Sequence, residues 1–126
     1  MPRREPAELA AVLSRKASDD SGNPEISDEI IGFHAQQAVE KWLKALMASR
    51  KLAQLRTHDI DQLGRALEAD GVELPFPRPR LAELTIFGVP LRYEQFLDAE
   101  PLDREETVAL VDGVGVWANA ELDSGS

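Results

Sequence analysis

No cysteine occurs in the chain, which excludes disulfide scaffolds, thiolate metal sites and cysteine nucleophiles together and fits a reducing compartment. Long apolar runs are also missing. The start, Met1-Pro-Arg-Arg-Glu-Pro6, leads into no apolar core of the secretory kind, and no uninterrupted apolar stretch approaches bilayer length, so a cytoplasmic protein without a membrane partner is expected. Sustained two-residue alternation and internal repeats are absent, which argues against strands and solenoids. The chain has no Gly-rich phosphate loop, no His-Glu-x-x-His and no serine in a nucleophile elbow, so neither a cofactor nor a metal is expected.

What is present suffices for one domain over residues 1–126: 43% of the residues are hydrophobic, enough for a single core. The formal charge of −9 argues against general nucleic-acid binding, which rests on cations displacing counterions from phosphates. One stretch runs against that balance. From Lys41 to Arg56 the charged residues are Lys41, Lys44, Arg50, Lys51 and Arg56, with no acid among them. The simpler reading is that cations gather at a helix C-terminus, and the sharper one is a phosphate or acidic-partner site.

Apolar spacing predicts five helices. Leu9, Val12 and Leu13 mark a first, from about Glu5 to Ser18, ended by Ser18-Asp-Asp-Ser-Gly-Asn-Pro24. The second runs from about Pro24 or Glu25 to Lys51, with serine and asparagine upstream as caps. Its Ile31, Ala35, Ala38, Val39, Trp42 and Leu46 form one stripe, while Ile30, Phe33 and Met47 lie off it, toward Glu40 and Lys44. A helix with apolar residues on two sides is packed from both, either by its own chain's fourth segment or by a second copy, and the latter is the sequence's hint of a homodimer. Thr57 as cap precedes a third helix, about His58 to Ala69, with Ile60, Leu63 and Leu67 on one face and Gly71 at a left-handed C-terminal position. Leu74-Pro-Phe-Pro-Arg-Pro79 cannot continue a helix. A short fourth helix, about Arg80 to Phe87, ends at Gly88-Val-Pro90. Asp103 and Glu106 form a capping box for a fifth, reaching about Leu122. Its Gly113 and Gly115, each costing up to about 1 kcal/mol relative to alanine, suit a bend or the close approach of another helix. The expected fold is an all-α, up-and-down bundle of four to five helices joined by short loops, with residues 1–4 and 123–126 frayed.

The run Gly32-Phe-His-Ala-Gln-Gln-Ala-Val-Glu-Lys-Trp-Leu-Lys-Ala-Leu46 resembles the signature helix of the HEPN domain, whose usual form is close to F-H-A-Q-Q-A-x-E-K-x-L-K-A-L. Arg56-Thr-His-Asp-Ile60 is similar to the family's T-H-D-L, and Leu91-Arg-Tyr93 to its Arg-Tyr segment, in the same order along the chain. The resemblance implies a bundle of four or five helices, frequent homodimerisation, proposed nucleotide binding, and pairing with a minimal nucleotidyltransferase in a toxin–antitoxin arrangement. Ribonuclease members of the wider superfamily carry an arginine followed four to six residues later by histidine on the final helix. Here the only histidines are His34 and His58, and no histidine follows His58. Ribonuclease activity of that type is therefore not expected. Glu94 also stands where a proline often follows the Arg-Tyr pair.

The residues able to carry chemistry are few. His34, Gln37 and Lys41 fall on one strip of the second helix, where they could converge on a phosphate or a base edge, or tie the helix to its neighbours. Gln36, Glu40 and Lys44 form the adjacent strip, expected as solvated surface with a helical ion pair. His58 stands before Asp59 and Asp61, which could orient its imidazole, although the Thr-His-Asp run also fits a helix start. Arg92 and Tyr93 could clamp a phosphate and stack on a base, or tie down their loop. The ligand-binding candidates are thus His34, Gln37, Lys41, Arg92 and Tyr93, with no catalytic residue assigned. Trp42 and Trp117 read as packing. Asp19-Asp20, Asp59/Asp61 and Glu105-Glu106 fit turns and caps. The expected role is association: a homodimer pairing with a nucleotidyltransferase, with a nucleotide as ligand. The alternative is an RNA-cleaving or nucleotide-processing enzyme built on a non-standard set from His34, His58, Arg92 and Tyr93.

Overall fold

A computed structural model of the protein describes residues 5–88 and 102–124. Among them lie α1 (Glu5–Ser21), α2 (Asp28–Ser49), α3 (Ile60–Ala69), α4 (Arg78–Ala82), a 3₁₀ turn (Glu83–Gly88) and α5 (Arg104–Ser124), with no strand. The protein is an all-α helical bundle, as the periodicity predicts.

α2 is the central element and packs against α1, α3, the 3₁₀ turn and α5. Its predicted stripe is buried throughout: Ile31, Ala35, Ala38 and Val39 are fully covered, and Trp42 and Leu46 nearly so. The helix starts later than expected, because the Ser27 hydroxyl, rather than Asn23 or Ser21, accepts from the Ile30 amide at 3.3 Å. It ends at Arg50 in a turn where Lys51 takes the left-handed conformation, φ 60°, and the Leu52 amide reaches back to the Met47 carbonyl at 2.9 Å. α3 ends the same way on Gly71, φ 88°, the residue expected there. The connection between these helices is longer than the short loop expected: residues 50–59 are non-helical and return along α2. His58 consequently meets Glu40 in mid-helix, while Arg50 meets Asp70 beyond the far end of α3.

α1 corrects the expectation in orientation rather than in existence. Leu9 and Val12 are 44% and 48% exposed, and the face turned to the core carries Ala10 and Ala17, both fully buried. Small residues allow close approach. Between them, the Ser14 hydroxyl donates to the Ala10 carbonyl at 2.8 Å and accepts from the Trp42 indole at 3.3 Å. With Ser14 at Trp42 and Asp20 beside His34, α1 runs antiparallel to α2. α5 begins at the expected cap, with the Glu106 amide donating to Asp103 Oδ1 at 3.0 Å, and lies on α2 through Leu110, Val111, Val114 and Ala118. Its glycines admit aromatic rings, not a neighbouring helix backbone: the Trp42 indole lies against Gly115 and the Phe76 ring against Gly113.

The second apolar side of α2 divides. Met47 is 1% exposed and covered within the chain, whereas Ile30 and Phe33 remain 44% and 45% exposed.

Candidate functional site

The polar chemistry concentrates where residues 50–59 return to α2. Glu40 projects from the middle of that helix and is fully buried, as is Gln36 one turn earlier. This overturns the expectation of a solvated strip. The returning chain covers that flank, and Leu43 and Met47, three and seven residues beyond Glu40, are buried beside it.

Burying a carboxylate costs several kcal/mol unless its lone pairs are met. Those of Glu40 are. Oε1 accepts from His58 Nδ1 at 2.7 Å and from Gln36 Nε2 at 3.0 Å, while Oε2 faces the ammonium groups of Lys44 at 3.3 Å and Lys41 at 3.4 Å. Three hydrogen bonds, from His58, Gln36 and Lys44, together with the nearby charge of Lys41 thus meet the carboxylate. Gln36 uses both of its N–H donors, giving the second to the His58 carbonyl at 3.1 Å, and accepts from Gln37 Nε2 at 2.8 Å. Burial pushes the Glu40 carboxyl up, but the hydrogen bonds from His58 and Gln36 and the charge of Lys44 outweigh it and hold the group below its ordinary value.

Because Nδ1 faces an ionised carboxylate, it carries the proton, and Nε2 of His58 is left as the free ring position. The ring is 58% exposed. The partner of His58 is therefore Glu40, not the adjacent aspartates suggested by the sequence. Asp59 instead caps α3, accepting from the Asp61 amide at 2.9 Å. Thr57, expected as that cap, accepts from the Asp59 amide at 3.0 Å. Asp61 is held by Arg65 at 2.8 Å and Arg78 at 3.0 Å.

The strip of His34, Gln37 and Lys41 is turned to three different partners. Gln37 joins Gln36, Lys41 joins Glu40, and His34 faces α1, with Nδ1 3.7 Å from Asp20 Oδ2. That nitrogen is buried without a hydrogen-bond partner. Burial pushes the His34 imidazole below its ordinary value, against the opposing pull of Asp20. Arg92 and Tyr93 lie outside the described residues. Trp42 packs in the core at 3% exposure, and Trp117 donates from its indole to the Glu73 carbonyl at 3.1 Å. Among the described residues no group of three or more His, Asp or Glu side chains could hold a metal, and no helix is long and apolar enough to cross a membrane.

Glu40 and Gln36 belong to the same helix as the resembling run, and His58 to the short motif after the loop, so the two motifs meet in space. A family model, HEPN domain, matches residues 25–119, most of the chain. The chain belongs to the HEPN family. Comparison with curated proteins and with solved structures gives no further match. In this HEPN domain the polar run of α2 and the Thr57-His58-Asp59 segment form one hydrogen-bonded unit centred on a buried carboxylate.

Proposed function

We propose that this HEPN protein works by association, as a homodimer that pairs with a minimal nucleotidyltransferase in a toxin–antitoxin-like module of the cytoplasm. The observation carrying the reading is the exposed pair Ile30 and Phe33, at 44% and 45%, on a helix whose remaining apolar residues are covered. Large apolar side chains left side by side at one end of a central helix suit burial against a second copy, and a two-fold contact brings the same patch from each chain together. Membership of the HEPN family adds support, since dimers are frequent in it. No Arg-x4-6-His pair exists in the chain, which favours association over ribonuclease chemistry of that kind.

Sedimentation of the purified chain tests the dimer. Wild type is expected at twice the chain mass, and Phe33→Asp or Ile30→Asp at the chain mass with unchanged helical circular dichroism. A wild type that is monomeric at every concentration removes the proposal. Pairing is tested by co-expressing the tagged chain with a nucleotidyltransferase encoded beside it, and failure of the two to co-purify counts against the partnership. RNA cleaved without magnesium by wild type but not by His34→Ala or Arg92→Ala would replace the association reading with an enzymatic one.

A further inference from the structure

We propose that acid dissolves the dimer of this chain, through protonation of His34 at the edge of the patch formed by Ile30 and Phe33. The inference rests on the association reading above and adds its regulation. Placement is the first ground. Ile30 and His34 stand one turn apart on α2 and so point from the same face, and the ring centroids of Phe33 and His34 are 6.0 Å apart with their planes tilted by 57°. Ile30 and Phe33 are half-exposed, while only 16% of the His34 side chain is open to water. A second copy seated on the two apolar residues closes that remaining opening over the imidazole. A two-fold contact also puts one such ring from each chain into the same interface.

The second ground is the poor compensation a charge would find there. A protonated imidazole donates from both nitrogens. Nδ1 is buried without a hydrogen-bond partner, and Asp20 Oδ2 stands 3.7 Å from it, beyond hydrogen-bond reach. The charges acting on the ring are both on α1, Asp20 favouring protonation and Lys16 opposing it. Of the charged groups on the other elements packed against α2, Arg104 at the start of α5 pairs with Asp28, Asp61 of α3 with Arg65 and Arg78, and Glu83 of the 3₁₀ turn with Arg80. Lys41, on α2 itself, turns to Glu40. Water at the open part of the ring is therefore what solvates its charged form in the free chain, and a second copy removes it. Burial already holds the imidazole below its ordinary value, and further covering lowers that value again. A cationic group held lower in the dimer than in the free chain leaves the dimer whole above the free chain's value and weakens it as pH falls below.

Sedimentation equilibrium of the full chain between pH 8 and pH 5.5 gives the dimer Kd, with helical circular dichroism recorded at each pH. Wild type is expected to show a Kd rising about tenfold or more across that range at unchanged helical content. His34→Gln, which is polar but does not titrate, should flatten the profile. Asp20→Asn, which removes the charge favouring protonation, should move the profile to lower pH. A purely structural role for His34 would instead change Kd by the same factor at every pH. A wild-type dimer whose Kd is independent of pH, or a dependence that His34→Gln retains, overturns this inference and leaves the dimer standing. A wild type that is monomeric at every pH overturns the association reading and the switch together. Helical content lost along with the dimer places the acid sensitivity in the fold rather than the interface, and also overturns the proposal.

Discussion

His34 and His58 sit on opposite flanks of α2 and are handled in opposite ways. His58 has a half-exposed ring with one nitrogen tied at 2.7 Å to a carboxylate that is itself buried and fully partnered. His34 is 16% exposed, its Nδ1 lacks a hydrogen bond, and the nearest carboxylate stands 3.7 Å away. The first arrangement places the desolvation cost on the carboxylate and covers it with three hydrogen-bond donors and a second lysine charge. The second leaves the cost on the imidazole. One flank is therefore built to hold a charge, and the other tolerates a neutral ring.

Removing Glu40 is expected to have the largest effect. Glu40→Ala opens a cavity, takes one of two acceptors from the Gln36 amide and leaves His58 Nδ1 without its acceptor, so unfolding in urea should show a loss of about 2–4 kcal/mol. Glu40→Gln, which keeps an acceptor near His58, should lose about half as much. Equal losses for the two variants would mean that charge, not hydrogen bonding, holds this flank.

Acid should separate the flanks by pH. The Glu40 carboxyl is held below its ordinary 4.5, so the unfolded chain takes up that proton first, and the stability it contributes is whole above about pH 4.5 and lost below it. The His34 imidazole is likewise held below its ordinary 6.5, so its contribution falls away as pH drops below about 6.5. Urea midpoints at pH 7.5, 5.5 and 4 should show a wild-type decline between the first two values that His34→Leu lacks, and a steeper decline to the third that Glu40→Gln lessens. At neutral pH His34→Leu should gain up to about 1 kcal/mol, because it removes an unpartnered buried polar atom. A loss instead would mean that a hydrogen bond to Nδ1 forms in solution.

Much of this was legible in the sequence, and the failures have a common cause. The stripe from Ile31 to Leu46, the Asp103 cap and the left-handed Gly71 depend on neighbours within a turn or two and stand as read, whereas the reciprocal half of the capping box does not, because the Glu106 carboxylate pairs with Arg80. Of the three apolar residues that mark the first helix, Leu13 packs against the core while Leu9 and Val12 stay exposed, because helix orientation is decided by the partner and the small face of Ala10, Ser14 and Ala17 is the one turned to Trp42. The sequence pattern places Glu40 in solvent because its i+4 lysine is an ordinary surface arrangement, and nothing local announces that residues 50–59 fold back over it. Leu43 and Met47 on the same face were the available signal. The two candidate histidines were visible, but their partners, Glu40 and Asp20, lie 18 and 14 residues away along the chain.

The smallest predicted effect bears on how the His58 flank is closed. The chain turns back toward Glu40 at Lys51, which adopts φ 60° where α3 uses Gly71 at φ 88° for the same turn. A residue with a Cβ is strained there and glycine is not, although glycine also loses more freedom on folding. Lys51→Gly should therefore gain only about 0.5–1 kcal/mol, read as a higher urea midpoint at unchanged slope. Gly71→Lys, placing the strained residue at the other turn, should lose a similar amount. If Lys51→Gly destabilises instead, the lysine side chain helps to hold residues 50–59 against α2, and the closure of the Glu40 site depends on more than the hydrogen bonds of His58.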